Sequence, residues 1–250
     1  NFSLDRFSDY NPGLRQAEII ATLKSLGANV DSPDKDGKTP VYIASEKGNA
    51  EAIMALKAAG ADVEKVRTKK SEQHNNYHYH DSYQRNDFNK PIHIAAKNGH
   101  AEAITALKAS GADVNALDTD GNMPVHIAVE NSHIEAIRAL KSAGANVNAL
   151  NRSGKTLVFI VIENRELWSD LSFHSFGSHS ASRKGAQLVA TLKGLGANID
   201  IRNQDDKTPL FIAAENGQLE AITALLDAGA NASLTSRHGT ALEAARRGSS

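Results

Sequence analysis

The stretch HNNYHYHDSY, residues 74–83, is the part of the sequence whose residue types could most readily bind a metal. On a strand, His78 and His80 would share one face, because side chains two residues apart point to the same side. Two histidines at this spacing can bind one metal ion, with His74 or Asp81 as a third ligand. No cysteine accompanies them, so a metal site is only one of three interpretations.

The other two interpretations of this stretch are a solvated loop and a protein-binding loop. The preceding residues, among them Lys69, Lys70 and Glu72, are polar, as expected of a solvated loop. Exposed tyrosines, however, make good anchors in protein interfaces because they bury a large area at a small cost in conformational entropy. We therefore favour contact with a partner protein over metal binding, and expect it to be made by the three tyrosines of the stretch, Tyr77, Tyr79 and Tyr83.

Composition limits the class of protein to which the chain belongs. The chain has 250 residues, a net charge of −1 and no cysteine. Its longest uninterrupted apolar run is LVFIVI, residues 157–162, which is much shorter than the ~18 residues that a membrane helix needs. We accordingly expect no membrane insertion and no nucleic-acid binding, and the absence of cysteine fits a cytoplasmic protein.

The sequence is built from an internal repeat. The dipeptide Gly-Ala recurs at spacings of 33, 51, 33, 52 and 33 residues, beginning at Gly27, Gly60, Gly111, Gly144, Gly196 and Gly229. Three spacings equal one unit, and the other two equal that unit plus 18 or 19 residues. Two of the units therefore carry insertions, which we place at about residues 66–85 and 165–185.

Each unit has the sequence pattern of two short helices. In the copy at residues 34–63, Thr39 can cap a helix that begins at Pro40, because proline at the first helical position forfeits no amide hydrogen bond. Gly48 is expected to end this helix, and Gly60 to end the next one in the left-handed conformation. Such a pair of helices cannot bury its apolar side alone, so successive units are expected to stack.

The unit resembles the ankyrin repeat. The family motif TPLHxAA has five counterparts in this sequence: TPVYIAS, KPIHIAA, MPVHIAV, TLVFIVI and TPLFIAA. Family endings of the type GADVN appear as GADVE, GADVN, GANVN, GANID and GANAS. The resemblance implies an all-α repeat fold, an ankyrin solenoid of paired antiparallel helices with short β-hairpin fingers.

On this basis we expect a single ankyrin-repeat domain over residues 1–250. Its parts are an N-terminal cap or partial repeat (1–33), repeats at 34–65, 86–117, 118–150, 151–202 and 203–235, the finger insertion 66–85, and a C-terminal partial repeat (236–250). Second helices are expected near residues 17–26, 50–59, 101–110, 134–143, 186–195 and 219–228. The first insertion lengthens a finger and the second separates two helices, so the insertions should leave opposite edges of the solenoid.

Four histidines occur at regular positions of the unit. His93 and His126 occupy the histidine position of the motif, and His100 and His133 follow the first helix. They could be ligands or catalytic bases, or they could form hydrogen bonds between neighbouring units. We favour hydrogen bonds between units, because the repeat already accounts for their positions.

The second insertion begins where Arg165 replaces the glycine that should end the first helix. Without that glycine we expect the helix to continue past Asn164 to about Ser172. Trp168 would then either pack on the neighbouring repeat or project as an aromatic knob.

By analogy with the family, partners would bind the finger tips and the exposed positions of the first helices, which here are polar throughout. Seven of the thirteen aromatic residues instead lie in or beside the insertions. The predicted partner-binding residues are therefore Tyr77, Tyr79, Tyr83, Phe88, Trp168, Phe173 and Phe176.

These observations favour a non-catalytic scaffold or adaptor that binds another protein and needs no cofactor, and we expect a cytoplasmic monomer. The recurring wording AIxALKxxGA resembles ankyrin proteins of intracellular bacteria, which adds the hypothesis of an effector delivered into a host cell. Two alternatives remain: a substrate-targeting module of a larger enzyme whose catalytic domain lies outside this chain, and metal binding at the histidine-rich finger.

Overall fold

The computed structural model of the chain describes residues 12–66, 90–168 and 179–248. Within these ranges the chain forms twelve α-helices and one 3₁₀ turn, and its β pairing is limited to an isolated antiparallel bridge between Ser236 and Gly239. The helices are α1 Pro12–Ser25, α2 Pro40–Glu46, α3 Ala50–Ala58, α4 Pro91–Lys97, α5 Ala101–Ala109, α6 Pro124–Glu130, α7 Ile134–Ser142, α8 Leu157–Glu163, α9 His179–Gly194, α10 Pro209–Glu215, α11 Leu219–Asp227 and α12 Ala241–Gly248, and the 3₁₀ turn is Arg165–Leu167. The predicted all-α repeat fold is confirmed.

Each unit starts with a short helix that we call the inner helix (α2, α4, α6, α8 and α10). In the first unit the Thr39 hydroxyl accepts a hydrogen bond from the Tyr42 amide at 3.2 Å, and Pro40 begins the helix. α2 ends before Gly48, whose φ of +72° lies in the left-handed region that glycine adopts at little cost. The chain then reverses into the second helix of the unit, the outer helix (α3, α5, α7, α9 and α11).

Stacking of the units builds one continuous apolar core. One leucine recurs at the same place in every outer helix and is at most 6% exposed: Leu56, Leu107, Leu140, Leu192 and Leu225. Burying such a side chain contributes about 1.5–3 kcal/mol. Because inner helices pack on inner helices and most outer helices on outer helices, each unit depends on its neighbours for this burial.

Hydrogen bonds between the fingers, the segments that link an outer helix to the next inner helix, also join the units. Asp31 Oδ1 accepts from the Asp62 amide at 3.0 Å, and Glu64 Oε1 accepts from the Asp113 amide at 2.8 Å. The equivalent acceptor and donor pairs are Asn115 with Asn146, Asn148 with Asn198, and Asp200 with Asn231. This ladder continues on both sides of each insertion.

The fourth unit departs from the predicted geometry. We expected its inner helix to continue past Asn164 to about Ser172, but α8 ends at Glu163 and the prediction is wrong. Asn164 has extended backbone angles (φ −75°, ψ 93°), and its side-chain oxygen accepts a hydrogen bond from the Glu166 amide at 3.1 Å. Replacing the glycine with Arg165 does not prolong the helix, because Asn164 leaves the helical conformation and caps the next turn.

The outer helices are also arranged differently at this unit. α3 packs on α5, α5 on α7 and α9 on α11, whereas α7 and α9 are not closely packed. The 3₁₀ turn lies against both α8 and α9, and the side chains of Leu167 and Trp168 are buried there. The second insertion therefore begins inside the stack.

The two ends of the described solenoid are single helices. α1 packs on α3 in the manner of an outer helix, and α12 packs on α10 in the manner of an inner helix.

Candidate interaction surface

The inner surface, defined here as the finger turns together with the exposed residues of the inner helices, is shaped by one repeated turn. In the first unit, Asp34 Oδ1 accepts hydrogen bonds from the amides of Asp36 and Lys38, both at 2.9 Å. Asp or Asn holds such a turn because its short side chain reaches the backbone two residues on. The same pair of bonds is made in later units by Asp118, Asn151 and Asn203.

Three units pair a lysine of the finger with the glutamate that ends the inner helix. The distances from Nζ to the carboxylate oxygen are 2.7, 2.5 and 2.7 Å in Lys38–Glu46, Lys155–Glu163 and Lys207–Glu215. Partly exposed pairs of this kind contribute ~0–1 kcal/mol each to stability. On the inner surface, each of these pairs neutralises the charge of one lysine and one glutamate.

The third unit lacks this pair. Glu130 occupies the position of Glu46, but Asn122 stands where the lysine would be. Within the described part of the chain, no ion pair or hydrogen bond involves the Glu130 carboxylate. Glu130 lines a cleft of about 580 Å³ between the third and fourth units, together with Arg152 and Lys155.

Partial burial and the neighbouring charges of this cleft change the pKa of Glu130. Its pKa is raised above the ordinary value, first because its carboxylate is partly desolvated and then because Asp118 and Asp120 repel its charge. Lys155 opposes the shift, but its ammonium group is held 2.5 Å from the Glu163 carboxylate. Glu130 nevertheless remains accessible to solvent, so its charge is available to a partner.

The histidines of the motif bind the finger segment at the end of their own unit. His93 Nε2 lies 3.0 Å from the carbonyl oxygen of Ala116, and His126 Nε2 lies 3.2 Å from that of Ala149. His126 Nδ1 also accepts a hydrogen bond from the Met123 amide at 3.1 Å, so its Nε2 carries the proton in the neutral ring and donates to Ala149. Both rings are fully buried, and burial lowers the pKa of each below the usual value.

The histidines that follow the inner helices link neighbouring units. His100 Nε2 lies 3.0 Å from the carbonyl oxygen of Glu46, and His133 Nε2 lies 2.9 Å from that of Lys97. Each ring therefore binds the end of the preceding inner helix. The interpretation as links between units is confirmed for His100 and His133, whereas His93 and His126 form their hydrogen bonds within their own units.

Trp168 is the predicted site residue that the structure describes, and it does not project. Its side chain is 5% exposed, and its indole Nε1 donates a hydrogen bond to the Val161 carbonyl at 2.8 Å. The prediction of an aromatic knob is wrong at this position, because the indole satisfies a carbonyl near the end of α8 and packs against α9 at Gly185. The remaining predicted residues, Tyr77, Tyr79, Tyr83, Phe88, Phe173 and Phe176, lie outside the described residues.

The segment that precedes the finger insertion is tied to the helix that follows it. The Lys90 ammonium group lies 2.5 Å from the Glu64 carboxylate, and Glu64 also accepts the finger hydrogen bond from Asp113. His74, His78 and His80 fall outside the described residues. In residues 12–66, 90–168 and 179–248, no group of three or more His, Asp or Glu side chains is placed to hold a metal ion.

Asn122 and Glu130 belong to the polar finger and first-helix positions that analogy with the family indicated, but the sequence analysis did not select them as partner-binding residues. The sequence does contain the lysine-to-asparagine difference, because aligning the units places Asn122 in register with Lys38, Lys155 and Lys207. The partner of that lysine, eight residues further along the chain, becomes evident only when the folded unit brings the finger against the end of the inner helix.

Comparison with known proteins agrees with this architecture. A family model described as "Ankyrin repeats (3 copies)" matches residues 74–151, 92–168 and 178–250. The ankyrin repeat domain of Bcl-3, of the IκB protein family, superposes with a TM-score of 0.66 at 22% identity, covering 93% of this chain and 89% of that one. An ankyrin repeat domain from Acinetobacter baumannii AYE gives 0.59 at 25% identity, covering 88% and 97%. No curated protein matches the sequence.

Within the described ranges, no helix is both long enough and apolar enough to cross a bilayer.

Proposed function

Because the chain belongs to the ankyrin-repeat family, whose repeats form protein–protein interaction modules, we propose that it is a non-catalytic adaptor whose two insertions take part in recognising another protein. The observation that carries this proposal is the continuity of the scaffold around the insertions. α2 packs on α4 and α3 on α5 across the finger insertion, and the finger hydrogen bond from Asp113 to Glu64 spans it. The described units on either side of the finger insertion are therefore stacked directly on each other.

The residue types of the finger insertion fit recognition of a protein. Interface energy usually centres on a few aromatic or arginine anchors, and this insertion carries Tyr77, Tyr79 and Tyr83 among polar neighbours. The ion pair between Lys90 and Glu64 helps to fix the base of the insertion on the scaffold. A fixed base lowers the entropy that such a segment loses on binding.

The second insertion supports the proposal in a different way. Its first residues are used for folding, since Trp168 binds the Val161 carbonyl and packs at Gly185. Recognition by this insertion is therefore assigned to its later aromatic residues, Phe173 and Phe176. Location in the cytoplasm, delivery into a host cell and membership of a larger enzyme stay predictions from the sequence.

Affinity capture followed by measurement with the purified partner tests the proposal. We expect the wild-type chain to retain a specific protein, and a variant with Tyr77, Tyr79 and Tyr83 changed to serine to bind it more weakly. Truncating one such anchor typically costs about 2 kcal/mol, or roughly thirtyfold in affinity. The matched control changes Lys57 and Lys108 of the outer helices to alanine and should bind like wild type. Failure to retain any specific protein would contradict the adaptor function, and equal binding by the tyrosine variant would remove the finger insertion from it.

A further inference from the structure

Comparison with the other units of the repeat shows which residue the third unit lacks. In the first, fourth and fifth units, the glutamate that ends the inner helix is neutralised by the finger lysine eight residues before it, at 2.5–2.7 Å. The third unit keeps the glutamate as Glu130 but replaces the lysine with Asn122. The second unit has neither residue of the pair, since Asn89 and Lys97 occupy these positions. Among the four units that keep the glutamate, only the third therefore lacks its lysine.

The two cations that line this cleft lie against other groups. The Lys155 ammonium group pairs with Glu163 at 2.5 Å, and Arg152 Nη1 points to the Thr119 carbonyl oxygen at 3.5 Å. The ionisable side chains that line the cleft are three acids and two bases: Asp120, Glu130, Glu163, Arg152 and Lys155. The excess negative charge corresponds to the unpaired Glu130.

The space next to Glu130 is open. Asparagine is shorter than lysine and carries no charge, and the cleft at this position has a volume of about 580 Å³. The Asn122 side-chain oxygen accepts a hydrogen bond from the Asn151 side chain at 3.2 Å, which holds the asparagine against the fourth unit. Polar acceptors and one unneutralised carboxylate thus line a cleft that is open to solvent.

We propose that this cleft receives a basic side chain, arginine or lysine, of the partner protein, and that its cation pairs with Glu130 in place of the lysine that the third unit lacks. The proposal rests on the proposed function, because it names part of the partner that the adaptor binds. Complementary charge at such a position governs specificity and the rate of association more than total affinity. The cleft therefore selects among partners, while the aromatic residues of the insertions supply most of the binding energy.

Titration of the ¹⁵N-labelled full chain with acetyl-Gly-Arg-Gly-amide, followed by NMR, tests this proposal without a known partner. We expect saturable shifts at the amides of Asn122, Glu130 and Lys155 with this peptide and with its lysine counterpart, but not with acetyl-Gly-Gln-Gly-amide. Glu130→Gln should weaken binding by about fivefold, the upper range for an exposed ion pair.

Two further variants make the result specific. Asn122→Lys restores the missing lysine and should abolish peptide binding without lowering the melting temperature. Glu46→Gln removes a carboxylate that Lys38 already neutralises, so it should bind the peptide like wild type. Equal peptide affinity in wild type, Glu130→Gln and Asn122→Lys would overturn the proposal. That outcome would leave the adaptor function standing, since affinity capture tests the adaptor function separately.

Discussion

At the scale of single residues, the repeat uses equivalent positions for equivalent hydrogen bonds. The side chain that follows the inner helix binds the end of the preceding inner helix, as His100 in the second unit, His133 in the third and Gln218 in the fifth. A histidine in this chain is therefore not by itself evidence of metal binding or catalysis. The sequence was sufficient to predict this use of the histidines, because several aligned copies showed that their positions belong to the repeat.

Burial of His93 and His126 makes folding sensitive to pH. Burial lowers both pKa values, while Asp118 acts in the opposite direction on both and Lys90 reinforces the lowering at His93. Below the usual histidine pKa of about 6.5, the unfolded chain binds protons that the folded chain does not. Their contribution to stability is therefore fully present above about pH 6.5 and is lost as the pH falls towards the lowered values of the folded state.

Urea unfolding measured between pH 8 and pH 5 checks this prediction. We expect the free energy of unfolding to fall less steeply in the variant with His93→Gln and His126→Gln than in wild type. His100→Gln is the control for the substitution itself, because Gln218 makes the equivalent bond in the fifth unit at 3.2 Å, and it should leave the free energy of unfolding at pH 8 unchanged. Parallel curves for wild type and the double variant would show that these histidines do not set the dependence.

At the scale of helices, the units that follow the repeat could be predicted from sequence to within one or two residues of their ends. The outer helix expected near 50–59 is Ala50–Ala58, and the one expected near 134–143 is Ile134–Ser142. Each prediction drew on several aligned copies of the same caps and apolar positions. The end of α8 could not be predicted in this way, because Asn164 takes extended backbone angles there and the Trp168 indole, which has no counterpart in the other units, binds the Val161 carbonyl.

The packing of Trp168 on α9 predicts the effect of two glycine substitutions in that helix. A methyl group on Gly185 would lie 2.8 Å from the Trp168 ring, whereas one on Gly194 has no atom within 4 Å. Gly185→Ala should therefore destabilise the chain by about 1–3 kcal/mol, as crowding of a packed core usually does. Gly194→Ala should be neutral or stabilising by up to about 1 kcal/mol, the difference in helix propensity.

Thermal melting of both variants checks this prediction, with tryptophan fluorescence as a second signal, since the chain has a single tryptophan. A changed emission spectrum is expected in Gly185→Ala only. If both alanine variants melted alike with unchanged emission, the buried position of Trp168 would be contradicted.

At the scale of the whole molecule, we propose that the stacked repeats serve as scaffold and the finger insertion serves recognition. The leucines of the outer helices, the histidines that follow the inner helices and the finger hydrogen bonds are used for stacking, and they continue on both sides of the finger insertion. The unpaired Glu130 and the inserted aromatic residues are what distinguish this solenoid from a regular one. Alignment of repeats predicts the scaffold well and says little about these individual features, because they have no second copy with which to compare them.

The most direct test of this separation is a chain from which residues 68–85 are deleted. The deletion removes 18 residues and restores the 33-residue spacing between Gly60 and Gly111. It takes away Tyr77, Tyr79 and Tyr83 but keeps the hydrogen bond from Asp113 to Glu64 and the pair between Lys90 and Glu64.

The melting temperature and the affinity for the captured partner would be measured on the same preparation. We predict a cooperative transition at the wild-type temperature and a large loss of affinity. A shortened chain that unfolds at a lower temperature, or that binds its partner as tightly as wild type, would contradict the account.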